Sequence, residues 1–179
     1  KLFHNLSFAI DAGSALHIKG GNGSGKSTLL RILLGITTPS KGKIELLKPN
    51  TKITYLGHKN AIKNYLTPIE NLKLIFHQSN LESALDWFQR LGLSRVQDEI
   101  SANLSFGQQK KLALIRVLAA PADLIVLDEP FVGLDDSSKN LLNKYLQESI
   151  LKGSSLALTS HIRPEITSKE LMLENFSND

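Results

Sequence analysis

The sequence predicts an α/β fold, a mostly parallel sheet core sandwiched by helices, and three observations carry that expectation. Residues Gly20-Gly21-Asn22-Gly23-Ser24-Gly25-Lys26-Ser27 fit the phosphate-binding loop pattern G-x-x-x-x-G-K-[ST] without a mismatch. An apolar-leaning run precedes that loop and a helical pattern follows it, the strand–loop–helix setting the motif requires. Further along, Leu124-Ile125-Val126-Leu127 is an unbroken apolar run, as expected of a central strand covered on both faces.

The elements follow in order. Leu6 to Ile10 alternates apolar and polar residues and reads as a half-buried strand. After the turn Asp11-Ala12-Gly13, Ser14-Ala15-Leu16-His17-Ile18 reads as the strand entering the loop, and Thr28-Leu29-Leu30-Arg31-Ile32-Leu33-Leu34 as the helix leaving it. Gly35 is placed to cap that helix, with a turn at Pro39-Ser40-Lys41-Gly42. Lys43-Ile44-Glu45-Leu46 and Lys52-Ile53-Thr54-Tyr55-Leu56 read as strands, the second ending at Gly57-His58. Thr67-Pro68-Ile69-Glu70 is a capping box with proline at the first helical position, so a helix starts there. Leu81, Leu85, Phe88 and Leu91 recur at helical spacing up to Gly92, with Trp87 expected to pack on that helix. Ser105 and Gln108 repeat the capping-box spacing, opening a helix to about Ala119. A helix through Leu141, Leu142, Tyr145, Leu146 and Ile150 closes at Gly153, and Leu156-Ala157-Leu158-Thr159 is the last clear strand. From Glu165 onward the pattern is uninformative. Repeats and low-complexity linkers are absent from the sequence.

At 179 residues, with 41% hydrophobic and 21% charged, the chain is expected to be a single soluble domain, residues 1–179. The block at about residues 67–120 reads as a helical insertion within it. Apolar runs stay well below the roughly 18 residues of a spanning helix. Without cysteine the chain forms no disulfide or thiolate metal site, which fits the cytoplasm. The net charge of +4 is scattered, Lys110-Lys111 being the longest cationic run, so a nucleic-acid partner is not expected.

The chemistry gathers at the strand ends, where open α/β sheets collect ligands. Glycines let the phosphate loop curl so that successive N–H groups form an anion nest, reinforced by the dipole of the helix that begins near Lys26. Lys26 is placed to reach the β- and γ-phosphates of a nucleoside triphosphate, and Ser27 to offer its hydroxyl to Mg²⁺. Asp128 follows an apolar strand, where a carboxylate can hold the Mg²⁺ shell; Glu129, next to it, can take the proton of an attacking water. His161 ends the last strand, within expected reach of a γ-phosphate. His4, His17 and His77 carry no such signal. Ser105 and Gly107 open a second helix and so a second anion site. One nucleotide does not need two helix N-termini from one subunit, so two copies of the chain could share them.

Together these residues resemble the nucleotide-binding subunit of ATP-binding cassette (ABC) transporters. Residues 20–27 are similar to its Walker A loop, Leu104-Ser105-Phe106-Gly107-Gln108 to its signature, and residues 124–129 to its Walker B strand. Gly133-Leu134-Asp135 stands where the family has its D-loop, and His161 where it has its switch histidine. The resemblance implies the ABC ATPase architecture on the P-loop NTPase fold: a mostly parallel core, a small antiparallel β part and an inserted helical subdomain. It also implies ATP and Mg²⁺ as cofactors, with Gly20, Gly21, Asn22, Gly23, Ser24, Gly25, Lys26, Ser27 and Thr28 on the nucleotide. Ser105, Gly107 and Gln108 would serve the partner's nucleotide in a head-to-tail homodimer sandwiching two ATP. Ser27 and Asp128 would hold the metal; Glu129, His161 and His58 would act in hydrolysis.

Three departures from the family pattern stand out. His58 occupies the loop position that usually supplies a glutamine, and imidazole and amide differ in reach and titration. Phe106 stands where glycine is commonest. In the family an N-terminal strand whose aromatic stacks on adenine would precede Lys1, so either the sequence begins late or the base is held otherwise. Within the family, Tyr55-Leu56-Gly57-His58, Leu66-Thr67-Pro68-Ile69-Glu70-Asn71-Leu72 and Gln108-Gln109-Lys110-Lys111 resemble the ATP-binding subunit of bacterial cytochrome c maturation, a haem exporter ATPase. That branch implies transmembrane permease partners and a peripheral place on the cytoplasmic face of the inner membrane. The alternatives are another transporter's ATPase, a soluble non-transport ABC ATPase, and a binding subunit with little hydrolysis; Glu129 argues against the last.

Overall fold

The computed structural model describes residues 2–46 and 48–176; Lys1, with which the opening stretch begins, Leu47 and residues 177–179 lie outside the description. In chain order the elements are β1 (Ala15–Lys19), α1 (Lys26–Leu33), β2 (Ile53–Leu56), α2 (Pro68–Ile75), α3 (Gln78–Arg90), α4 (Phe106–Leu118), β3 (Leu124–Asp128), α5 (Asp136–Leu151), β4 (Ser155–Thr159) and β5 (Lys169–Met172). Among the described residues the strands form one sheet in the order β2-β3-β4-β1-β5. Every pairing in it is parallel, so all strands end at the same edge.

The two-residue period of the strands divides the core. Ile125 and Leu127 of β3, Leu156 and Leu158 of β4 and Leu56 of β2 join the larger cluster, which is completed by α2, α3, α4 and α5. Leu124, Val126, Leu16, Ile18 and Ala157 face the other way, against Leu29 and Leu30 of α1. Each central strand is therefore apolar on both faces, which is why β3 reads as a continuous run.

Both predicted capping boxes form. Thr67 Oγ1 accepts from Glu70 N while Glu70 Oε2 accepts from Thr67 N, and Ser105 and Gln108 repeat the exchange. The helix expected from Leu81 starts at Gln78, and the one through Leu141 starts at Asp136, capped by Asp135. Trp87 packs within the fold as expected: it meets Tyr145 edge-on at 5.9 Å between centroids, with the Arg90 guanidinium 4.8 Å from its ring centroid.

Two expected strands do not form. Residues 6–10 keep the alternation, with Leu6, Phe8 and Ile10 packed on the smaller cluster, but they join no ladder. Residues 43–46 are exposed and likewise unpaired, so the small antiparallel part is not present as paired strands among the described residues. Alternation reports which side chains are covered; a strand also needs a neighbour offering its backbone groups. Conversely β5, in the uninformative tail, pairs with β1 at the sheet edge. Only Leu171 of its residues is buried, and a four-residue edge strand that exposed carries little periodic signal.

Candidate active site

The phosphate loop begins where β1 ends. Gly25 caps α1 with φ 96°, a left-handed conformation that glycine adopts without cost. At Gly20 the constraint is space, because a Cβ there would run into the Ser24 hydroxyl, itself buried without a partner. Lys26 curls back over the loop, its ammonium donating to the Gly20 carbonyl at 2.7 Å and to that of Gly21 at 3.0 Å. The Gly21 N–H donates to Glu174 Oε1 at 2.7 Å, so that loop amide is already engaged. Ser27 lies exposed in the first turn of α1, with Thr28 beside it half-buried. Asn22 and Gly23 form the exposed tip.

Across the sheet edge, Asp128 is buried at the end of β3. The Thr159 hydroxyl donates to its Oδ1 at 2.7 Å, and its Oδ2 is buried with no hydrogen bond. Glu129 has φ 48°, a strained conformation for a non-glycine residue. Its N–H is fixed there by the Thr159 carbonyl and hydroxyl, both at 3.1 Å. The Glu129 carboxylate accepts the His161 N–H at Oε2, 3.1 Å away; Oε1 is buried, makes no hydrogen bond, and lies 3.5 Å from His161 Nε2. Two carboxylates thus each keep one buried oxygen unpaired at the same strand edge, an arrangement costly for stability and suited to a ligand.

An open cleft of about 340 Å³ lies beside the phosphate loop at this edge; Asp128 and Glu129 are not among the residues that line it. It is lined by Gly20 and Lys26 from the loop, Ser160, His161 and Arg163 after β4, and His17, Lys19 and Glu170. Four cationic or ionisable nitrogen side chains besides Lys26 therefore surround the space where a polyphosphate would lie. His17 has a structural part there: it is buried, and its Nε2 meets the Ser160 carbonyl at 2.9 Å, fixing the chain just ahead of His161. Thr159, Arg163 and Lys19 were not singled out by sequence; a threonine at a strand end reads as ordinary β propensity, and its partners are 31 and 30 residues away.

The remaining expected residues stand apart from the cleft. Ser105, Gly107 and Gln108 open α4 and are not among the residues lining it. Phe106 is 61% exposed at the same helix end. His58 is exposed two residues beyond β2, at the same edge of the sheet but outside the cleft lining. Tyr55, on β2, has its phenol pushed up by burial and then by the charge of Asp128.

The family model described as ABC transporter matches residues 3–132. The chain is 38% identical over 171 residues to the cytochrome c biogenesis ATP-binding export protein CcmA of Idiomarina loihiensis, covering 89% of this chain and 78% of that protein. With the CcmA protein of Dechloromonas aromatica the identity is 35% over 189 residues, covering 97% and 93%. The fold matches a solved ATP-binding subunit of an ABC transporter with a TM-score of 0.80, at 24% identity, over 90% of this chain and 73% of that one. A dimeric bacterial ABC transporter cassette matches with a TM-score of 0.76, also at 24% identity, over 90% and 80%. The chain therefore belongs to the ABC transporter family, as an ATP-binding subunit of the CcmA type.

Proposed function

We propose that the chain hydrolyses ATP to power a membrane transporter handling haem for cytochrome c assembly. The observation that carries the hydrolytic part is the pair of buried carboxylate oxygens, Asp128 Oδ2 and Glu129 Oε1, that accept no hydrogen bond, at the edge where the phosphate loop opens. Oxygen donors suit Mg²⁺, which takes one or two carboxylates together with substrate phosphates. Ser27 and Asp128 would supply such donors. The ion, when bound, neutralises charge developing on the phosphates.

The chain's own residues do the rest. Lys26 turns from the loop carbonyls to the β- and γ-phosphates, and the loop amides receive the remaining oxygens. Glu129 Oε1 accepts the proton of a water as that water's oxygen bonds the γ-phosphorus and the bond to the bridging oxygen breaks. The His161 N–H holds Oε2, so the carboxylate is aimed rather than free. His161 itself faces the γ-phosphate. His58 sits in the loop that takes the glutamine's place beside the water.

In this reading Ser105, Gly107 and Gln108, at the signature end of α4, serve the nucleotide of a second chain, so each chain carries half of two sites. Two copies arranged head to tail close two ATP between them, Ser105, Gly107 and Gln108 of one meeting the nucleotide on the other. Residues 1–179 act as one ATP-binding domain, with residues 67–120 as its helical insertion. That insertion and the loop at residues 58–66 dock on transmembrane permease subunits. Tyr65, 74% exposed, offers the aromatic anchor. Among the described residues no helix is long and apolar enough to cross a membrane, and the chain works peripherally, at the cytoplasmic face of the inner membrane. The CcmA relatives, named as cytochrome c biogenesis ATP-binding export proteins, support export in cytochrome c biogenesis as the process served; haem as the cargo belongs to the reading proposed here.

Glu129→Gln tests the hydrolytic reading. Hydrolysis is expected to fall on the order of 10²-fold or more with ATP still bound, and ATP-dependent dimers to accumulate on size exclusion. Turnover at the wild-type rate would remove Glu129 from the role of base.

A further inference from the structure

Phe106 is an exposed aromatic that is nevertheless held in place. Its ring lies on Gly133, in the loop leading into α5: a Cβ built at Gly133 would come within 2.6 Å of Phe106 Cδ1 and nearer still to Cε1. Gly133 has φ +80°, so glycine is required there both for conformation and for space. One residue along α4, a Cβ on Gly107 would come within 2.7 Å of the Gly133 carbonyl oxygen, so the two backbones are themselves close. A turn further, Lys111 Nζ donates to Asp135 Oδ2 at 2.6 Å and to the Leu91 carbonyl at 3.2 Å. Asp135 in turn caps α5 through Ser138 N at 2.9 Å. From beneath, Phe131 and Leu134 are buried in the main core. The first turn of α4 and the loop of residues 131–135 are therefore joined by an aromatic stack, a backbone approach and an ion pair.

We propose that Phe106 is a positioning residue for the shared nucleotide site. Seated on Gly133, its ring holds the start of α4 and the 131–135 loop as one body, and both reach a second copy of this chain in fixed register. The proposal rests on the shared-site reading given above. Its physical basis is preorganisation: two elements that must meet a partner together lose less freedom on binding when they are already coupled. The ring at residue 106, between Ser105 and Gly107, supplies that coupling. Its outer face, open to solvent, remains to pack on the second copy.

The test uses ATP-driven dimer formation in Glu129→Gln protein, read by sedimentation across an ATP titration. Phe106→Ala is expected to raise the ATP concentration for half-maximal dimer about fivefold, the scale of one lost aromatic contact. Phe106→Tyr keeps the ring and is expected to keep the half-point. Because the ring is exposed, the thermal midpoint should move by no more than about 2 °C in either variant. Gly133→Ala supplies the coupling readout. The strain of alanine at φ +80° is present whether or not residue 106 is aromatic, so it cancels in a double-mutant cycle. What remains is the collision of the new methyl with the ring, so Gly133→Ala should cost several-fold less in the Phe106→Ala background than with Phe106 intact. Equal effects in both backgrounds, or an unchanged half-point in Phe106→Ala, overturn the proposal while leaving the shared site standing. If Glu129→Gln protein with Phe106 intact forms no dimer with ATP, the shared-site reading fails and the proposal with it.

Discussion

Thr159 holds the two acids on which the chemistry rests. Its hydroxyl donates to Asp128 Oδ1 and receives the Glu129 N–H, so one side chain orients the carboxylate proposed to face the metal and fixes the strained backbone of the proposed base. Thr159→Val keeps the shape and removes both bonds. A hydrogen bond to a buried charge is worth about 1.5–3 kcal/mol, so thermal unfolding should register a loss of about that size. Steady-state ATP hydrolysis should fall roughly tenfold or more, because Glu129 loses its aim; retained stability together with full activity would show that the hydroxyl is dispensable. The contrast with Lys26 and Ser27 explains what sequence can disclose at this scale. Their roles come from spacing within eight residues, which a local pattern records. Thr159 acts on residues 31 and 30 positions away, through a contact that exists only once β3 and β4 pair.

Among the elements, the capping boxes at Thr67 and Ser105 were legible because their partners lie three residues apart. The unpaired segments at 6–10 and 43–46 were not, since pairing depends on a neighbour far along the chain. Two predictions concern elements. Asn71 of α2 is buried and organises the loop before its own helix: it accepts from Lys63 N at 2.8 Å and donates to the carbonyls of Lys63 at 3.0 Å and Thr67 at 3.1 Å, and to Ser101 Oγ at 3.1 Å. Asn71→Ala leaves those groups without partners, at a cost of about 2–3 kcal/mol in unfolding free energy. Hydrogen exchange at Lys63 should rise with it; unchanged protection there would contradict the assignment. The second concerns the Lys111–Asp135 pair between α4 and α5. Lys111 first, and then Ser138, lower the Asp135 carboxyl from the usual 3.8 to about 2. A carboxyl with a depressed folded-state value contributes stability above its unfolded value, and that contribution is lost as pH falls from about 4 toward 2. Because the Asp135 side chain is 56% exposed, the gain after solvent screening is about 0.5–1 kcal/mol. Lys111→Met should be less stable than wild type by that amount at pH 7, with the gap closing toward pH 2 in denaturant titrations. A gap constant across that range would mean the loss is packing and not charge.

At the scale of the whole molecule, parallel pairing does the organising. It sends the ends of β1, β3 and β4 to one edge, so the phosphate loop, Asp128 and Glu129, and His161 converge although they are spread over much of the chain. The order of motifs made that convergence readable in advance. What stayed hidden was how the sheet is bounded, since β5 lies at its edge with three of its four residues exposed. The proposed shared site makes a second copy part of the account, and Tyr65, 74% exposed, is the anchor proposed for a membrane partner. Tyr65→Ala should weaken co-purification with permease subunits by about 2 kcal/mol while leaving hydrolysis by the isolated subunit intact. The most direct measurement replaces the native gene with Lys26→Ala and stains membranes for covalently bound haem. The account predicts apocytochromes without attached haem and no c-type cytochromes; normal c-type cytochromes in those cells would contradict it.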